Sequence, residues 1–104
     1  MIEIPKACRR KIEEFPEEIR GDLADALARL DSGQTLTMPL SRPMPGIGAG
    51  VHELRLKNRS SACALTTQGT VHVIHAFKKT AQSTPRRNLE LARKRLTEIK
   101  QKGG

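Results

Sequence analysis

Three short apolar-rich stretches, VHELRLK (51–57), SACALTT (61–67) and VHVIHAF (71–77), follow one another with only three residues between neighbours. Parallel pairing needs a crossover of a dozen residues or more, so links this short allow only an antiparallel meander. The QG at 68–69 suits a tight turn between the last two strands. In the first stretch His52, Leu54 and Leu56 alternate with Glu53, Arg55 and Lys57, which predicts one apolar face and one charged face open to a polyanion. In the third, the same alternation puts Val71, Val73, His75 and Phe77 on one face, opposite His72, Ile74 and Ala76.

The rest of the chain is helical in pattern. MIEI reads as a short edge strand, and Pro5 suits the first turn of a helix whose Cys8, Ile12 and Phe15 share a face until Pro16 interrupts it. Glu17 and Glu18 complement the dipole of a second helix with Ile19, Leu23, Ala26, Leu27 and Leu30 as its stripe, ending at Ser32-Gly33. Residues 5–33 are thus expected as a helical hairpin. QTLTMPLSRPMPGIGAG (34–50) holds three prolines and keeps neither period, so a loop is expected there. Its GIGAG lacks the Lys-Ser/Thr of a phosphate-binding P-loop and reads as a glycine turn feeding a strand. Thr84 and Pro85 then read as cap and first residue of a helix over 85–101. Leu89, Ala92, Leu96 and Ile99 would face the sheet, and the KQKGG tail is expected to fray.

A chain of 104 residues suits one domain, 1–104, with a modest core. There is no Trp and no Tyr, and Phe15 and Phe77 are the only aromatics, so aliphatic packing must carry the fold. Cys8 and Cys63 lack metal-site spacing and read as thiols kept reduced in the cytosol. No apolar run is long enough for a membrane span, and the reading is a cytoplasmic protein without membrane partners.

Charge separates the two halves of the chain. Residues 1–51 hold seven Lys/Arg against eight Asp/Glu, while 52–104 hold twelve against three. A basic field of this kind attracts nucleic acid or an acidic protein, although a solvated basic surface has the same composition. It peaks in HAFKKTAQSTPRR (75–87), where Lys78 and Lys79 end a strand and Arg86 and Arg87 open a helix against its dipole. Amides and cations at such a junction suit a phosphate, or else the arginines simply reach outward into solvent. His75 beside them is either a general acid or base, or a core histidine bonded to backbone.

The segments PLSRPMPGIGAGVHELRLK and VHVIHAFKKTAQSTPRRNLELARKRLTEI closely resemble the phage-derived, HigB-like branch of the RelE/ParE toxin superfamily, over roughly residues 10–100. The resemblance implies an α+β RelE-like domain: helical hairpin, antiparallel sheet of three to four strands over 51–77, and a C-terminal helix packed on the sheet. It further implies a toxin of a type II toxin–antitoxin pair, a metal-independent and cofactor-free mRNA endoribonuclease acting at the ribosome. The partner would be an antitoxin, a helix-turn-helix protein encoded nearby.

Carried over by resemblance, Arg55, His75 and Lys78 form the catalytic set. Arg55 holds the phosphate, and His75 or a lysine assists attack by the RNA 2′-hydroxyl. Lys57, Arg59, Lys79, Arg86 and Arg87 are the RNA-binding set. One departure stands out: the Tyr-Arg pair usual in the family's middle strand aligns with Ala62 and Cys63. That loss favours the alternative of a toxin-like module that binds antitoxin, RNA or ribosome without cutting. A DNA-binding regulator would also fit the charge, but the N-terminal helical pair is the least basic part of the chain.

Overall fold

The computed structural model describes residues 1–78 and 86–103. Its elements run β1 (Ile2–Glu3), α1 (Lys6–Glu13), α2 (Glu17–Asp31), β2 (Ser41–Pro43), β3 (Val51–Arg55), a 3₁₀ turn (Lys57–Arg59), β4 (Ser60–Thr67), β5 (Thr70–Lys78) and α3 (Arg86–Gly103). The class is α+β as expected, with a five-stranded, mostly antiparallel sheet in the order β1-β5-β4-β3-β2.

Both edge strands extend the meander beyond 51–77. β1 pairs parallel with β5, Ile2 opposite Val71, because the chain travels through both helices before it returns. β2 lies inside the stretch expected to be a loop and pairs antiparallel with β3, Ser41 opposite Leu54 and Pro43 opposite His52. Proline cannot donate to a ladder, so Pro43 is tolerated there because β2 has a neighbour on one side only. The β4–β5 turn uses Gln68 and Gly69, with φ of 50° and 78°, both positive as the hairpin twist requires.

Helices cover the sheet on both faces. Phe15, Ile19, Leu23 and Leu27 pack with Leu54, Ala62, Val73 and Ala76 on one side, while Ala92 and Leu96 of α3 pack with Val51, Cys63, Ile74 and Phe77 on the other. This overturns the expectation of an open charged face on β3: α3 lies over it, and Glu53 is fully buried. Only Arg55, the last residue of β3, emerges from that face into solvent. α3 also continues through Gly103, so residues 100–103 of the tail expected to fray are helical. The cap expected at Thr84 and Pro85 lies outside the described residues.

A bulge breaks the alternation read along β5. Cys63 pairs with His75 and Ala64 with Val73, so Ile74 is the extra residue. Val71, Val73 and Ala76 therefore pack toward α1 and α2, whereas Ile74 and Phe77 pack toward α3. His75, stacked on Phe77, goes with the α3 side. Val71 and Val73 thus part company from His75 and Phe77, contrary to the simple period of two.

Between β2 and β3 the chain turns tightly beneath α3, and Arg93 Nε donates to the Gly46 carbonyl at 2.6 Å. A Cβ on Gly48 would lie 2.3 Å from Leu96 Cδ2, and Leu96 is itself buried. Gly48→Ala should therefore destabilise the protein by about 1–3 kcal/mol through overpacking. In urea unfolding this appears as a lower midpoint at unchanged slope; an unchanged midpoint would mean that α3 does not close on this turn.

Candidate nucleic-acid interface

One end of the sheet gathers the expected cations. Arg55 ends β3 opposite Ser61, which itself pairs with Phe77, and Ser60 pairs with Lys78 at the end of β5. The 3₁₀ turn joining β3 to β4 carries Lys57 and Arg59 at the same end. Arg86 and Arg87 open α3 there too, because Asn88, one residue further on, touches His75. Register and turn thus bring Arg55, Lys57, Arg59, Lys78, Arg86 and Arg87 to one rim, all exposed. Lys79 lies outside the described residues.

The rim is only partly neutralised. Lys57 Nζ lies 3.5 Å from Glu18 Oε1, and Arg86 Nε lies 3.2 Å from Glu90 Oε1 one helical turn on. Such exposed pairs are worth well under about 1 kcal/mol and exchange readily for a phosphate. Among the described residues no carboxylate is paired with Arg55, Lys78 or Arg87. Sheet alternation separates two of these cations: Arg55 shares a face with Glu53, toward α3, whereas Lys78 follows Phe77 and takes the opposite face. A strand of nucleic acid bound here would cross the sheet's end rather than lie on a face.

Behind the rim is a part-buried polar cluster. Arg95 Nη1 donates to His75 Nδ1 at 2.8 Å and to the Ile74 carbonyl at 3.3 Å, and it lies 3.5 Å from Cys8 Sγ. His75 Nε2 is 2.6 Å from Asn88 Oδ1. Arginine has no acceptor, so Nδ1 must present its lone pair to it, which leaves the ring proton on Nε2, donated to Asn88. His75 is thereby held neutral. Burial is the main cause of its lowered pKa, and the positive charges of Arg95 and Lys11 add to it against the opposing effect of the Asn88 bond. Burial likewise raises the pKa of Cys8 and keeps it a thiol, with Arg95 pulling the other way.

His75 thus joins Arg55 and Lys78 at the same end of the sheet, but one layer deeper. It forms a buried row with Cys63 and Glu53, paired strand to strand on the α3 side. Among the described residues no three His, Cys, Asp or Glu side chains stand close enough to hold a metal ion. Ala62 and Cys63, which stand where the resemblance leads one to expect Tyr-Arg, are 0% and 1% exposed. Neither opens to the rim, so a large side chain at either position would meet packed core.

Asn88 and Arg95 were not singled out from the sequence, though a signal for them exists. Asn88, Ala92, Arg95 and Ile99 repeat at helical spacing, so two polar residues stand on the stripe of α3 that faces the sheet. Polar residues on an apolar stripe ask for buried partners, and His75 supplies them. The period-two reading of β5 left its direction open, and only the bulge at Ile74 turns it toward α3.

Among the described residues no helix is long and apolar enough to cross a membrane. No curated protein matches the chain. The family model of the phage-derived, Gp49-like proteins (DUF891) matches residues 10–97. The match runs from α1 into α3 and takes in Arg55, His75, Lys78, Asn88 and Arg95. With its helical pair, meander and covering C-terminal helix accounted for over nearly its whole length, the chain belongs to the phage-derived Gp49-like family.

Proposed function

We propose that this protein is a RelE/HigB-like toxin of a type II toxin–antitoxin pair that acts in the cytoplasm on ribosome-bound mRNA as a metal-independent endoribonuclease. The observation that carries the reading is the rim, where six cations from β3, the 3₁₀ turn, β5 and α3 meet at one end of the sheet. Separate elements delivering charge to one place suit a phosphodiester backbone, which binds by counterion release. In this reading Arg55 holds the scissile phosphate and stabilises the charge that develops as the 2′-hydroxyl attacks and the bond to the departing 5′ oxygen breaks, while Lys78, on the other face of the sheet's end, holds the adjoining backbone. Lys57, Arg59, Arg86 and Arg87, with Lys79, grip the flanking backbone. An antitoxin, a helix-turn-helix protein encoded nearby, would offer the same rim an acidic segment.

A second reading has its own support. Ala62 and Cys63 are core residues, and His75 has both ring nitrogens engaged, so a general base is not exposed at the rim. This favours a module that occupies RNA, ribosome or antitoxin without cutting. Cell-free translation with primer extension on the mRNA separates the two. Cuts made by the unmodified protein and lost with Arg55→Ala establish the endoribonuclease. Translation arrest without new mRNA ends establishes the binding module, and uninhibited translation sinks both.

A further inference from the structure

His75 is usually read as a proton exchanger wherever a histidine stands by a phosphate site, but the surroundings of this ring oppose that role. Each element packed around it contributes. From α3, Arg95 donates to Nδ1 and Asn88 accepts from Nε2. From α1 comes the positive charge of Lys11. Along β5, Phe77 stacks on the ring at 5.3 Å between centroids, and across the sheet Cys63 and then Glu53 follow in the same row. A proton arriving at Nδ1 would face an arginine N–H at 2.8 Å. The lone pair that could accept a proton is therefore blocked, and the other nitrogen already carries one.

We propose that Arg95 and Asn88 are positioning residues that hold His75 as a neutral imidazole with its proton on Nε2, so that it serves as a hydrogen-bond donor to an RNA phosphate oxygen rather than as an acid or base. The assignment rests on the reading of the rim as an RNA site. Asn88 stands beside Arg86 and Arg87 in the first turn of α3, so an anion gathered by the rim arrives next to the Asn88 oxygen. A phosphate oxygen is the stronger acceptor, and it accepts the Nε2–H hydrogen bond in place of Asn88 when Asn88 turns aside, the proton staying on Nε2. A neutral N–H donor of this kind polarises without changing its own protonation, which suits a buried position, 6% exposed, where an imidazolium would be costly.

Two measurements on the full chain test this. Two-bond proton–nitrogen correlation spectra should show bare Nδ1 and protonated Nε2 for His75 from about pH 8 down to the ordinary histidine value of 6.5. In Arg95→Met the ring should titrate at higher pH than in the unmodified chain. A proton on Nδ1, or a doubly protonated ring near neutral pH, overturns the assignment. The second measurement is binding of a single-stranded RNA oligonucleotide. His75→Ala should weaken it roughly tenfold, and His75→Gln, which keeps an N–H donor, should stay within about threefold of the unmodified chain at every pH. Equal losses in both variants, or none in either, overturn the donor role. An unmodified chain that binds no RNA sinks the rim reading and the donor role together, whereas RNA binding with the other tautomer sinks this assignment alone.

Discussion

Replacing Arg55 and Lys78 together by alanine will weaken single-stranded RNA binding by roughly 10- to 100-fold at low salt, and will flatten the slope of log K against log salt by about 1.4, the share of two phosphate contacts on a single strand. The two residues end the strands on either side of β4, opposite Ser61 and Ser60, and no carboxylate is paired with either among the described residues. Their loss is thus a loss of phosphate contacts and little else. The control is Arg29→Ala with Lys100→Ala, which removes the same charge from elsewhere. Lys100 lines a cleft with Thr67 and Gln68 at the opposite end of the sheet, and Arg29 lies near the end of α2. If the rim is the site, the control pair shifts affinity only a few-fold through the general field. Equal effects from the two pairs would mean that the protein attracts RNA by net charge alone, and would remove the support for a defined interface.

Arg95→Met should cost about 2–4 kcal/mol of stability. Methionine keeps most of the stem but abandons three contacts at once: the Ile74 carbonyl, His75 Nδ1 and the Cys8 sulfur. These partners belong to β5 and α1, so the guanidinium ties α3 to two other elements where the bulge would otherwise leave a carbonyl facing apolar surroundings. Urea unfolding of Arg95→Met, His75→Phe and the double variant gives the pairwise term. A coupling of about 1 kcal/mol or more is expected, and strict additivity would show that the contact contributes nothing.

The same cluster sets a pH dependence with a definite sign. His75 has a folded pKa below its ordinary 6.5, so as the solution is acidified the unfolded chain takes up a proton before the folded one does. Its contribution is therefore intact above pH 6.5 and is lost as pH falls through the lower folded value. His75→Phe should flatten that part of the stability profile.

How much of this could be read beforehand differs from element to element. α1 and α2 were legible because Pro5 and Pro16 punctuate them and their apolar residues recur at helical spacing, both of which are local properties. The meander was legible because three-residue links admit one pairing. β2 was not, since three residues among prolines make no pattern until β3 supplies a ladder. Nor was the burial of Glu53: the alternation of β3 marks two faces, but it cannot say that α3 will cover the charged one.

The rim residues were all visible as charges, yet their convergence depends on the pairing of β3, β4 and β5. The His75 cluster was the least legible part of the site. Arg95 lies 20 residues from His75 along the chain, and Asn88 lies 13. Both reach it only because Ile74 is squeezed out of the ladder, which turns the ring toward α3. By itself, then, the sequence determined the class, the helices, the central meander and the basic bias, because propensity, period and loop length act within a few residues. Which face is sheltered, which cations meet and which tautomer His75 holds were decided by tertiary structure, since each depends on contacts between elements that no local pattern encodes.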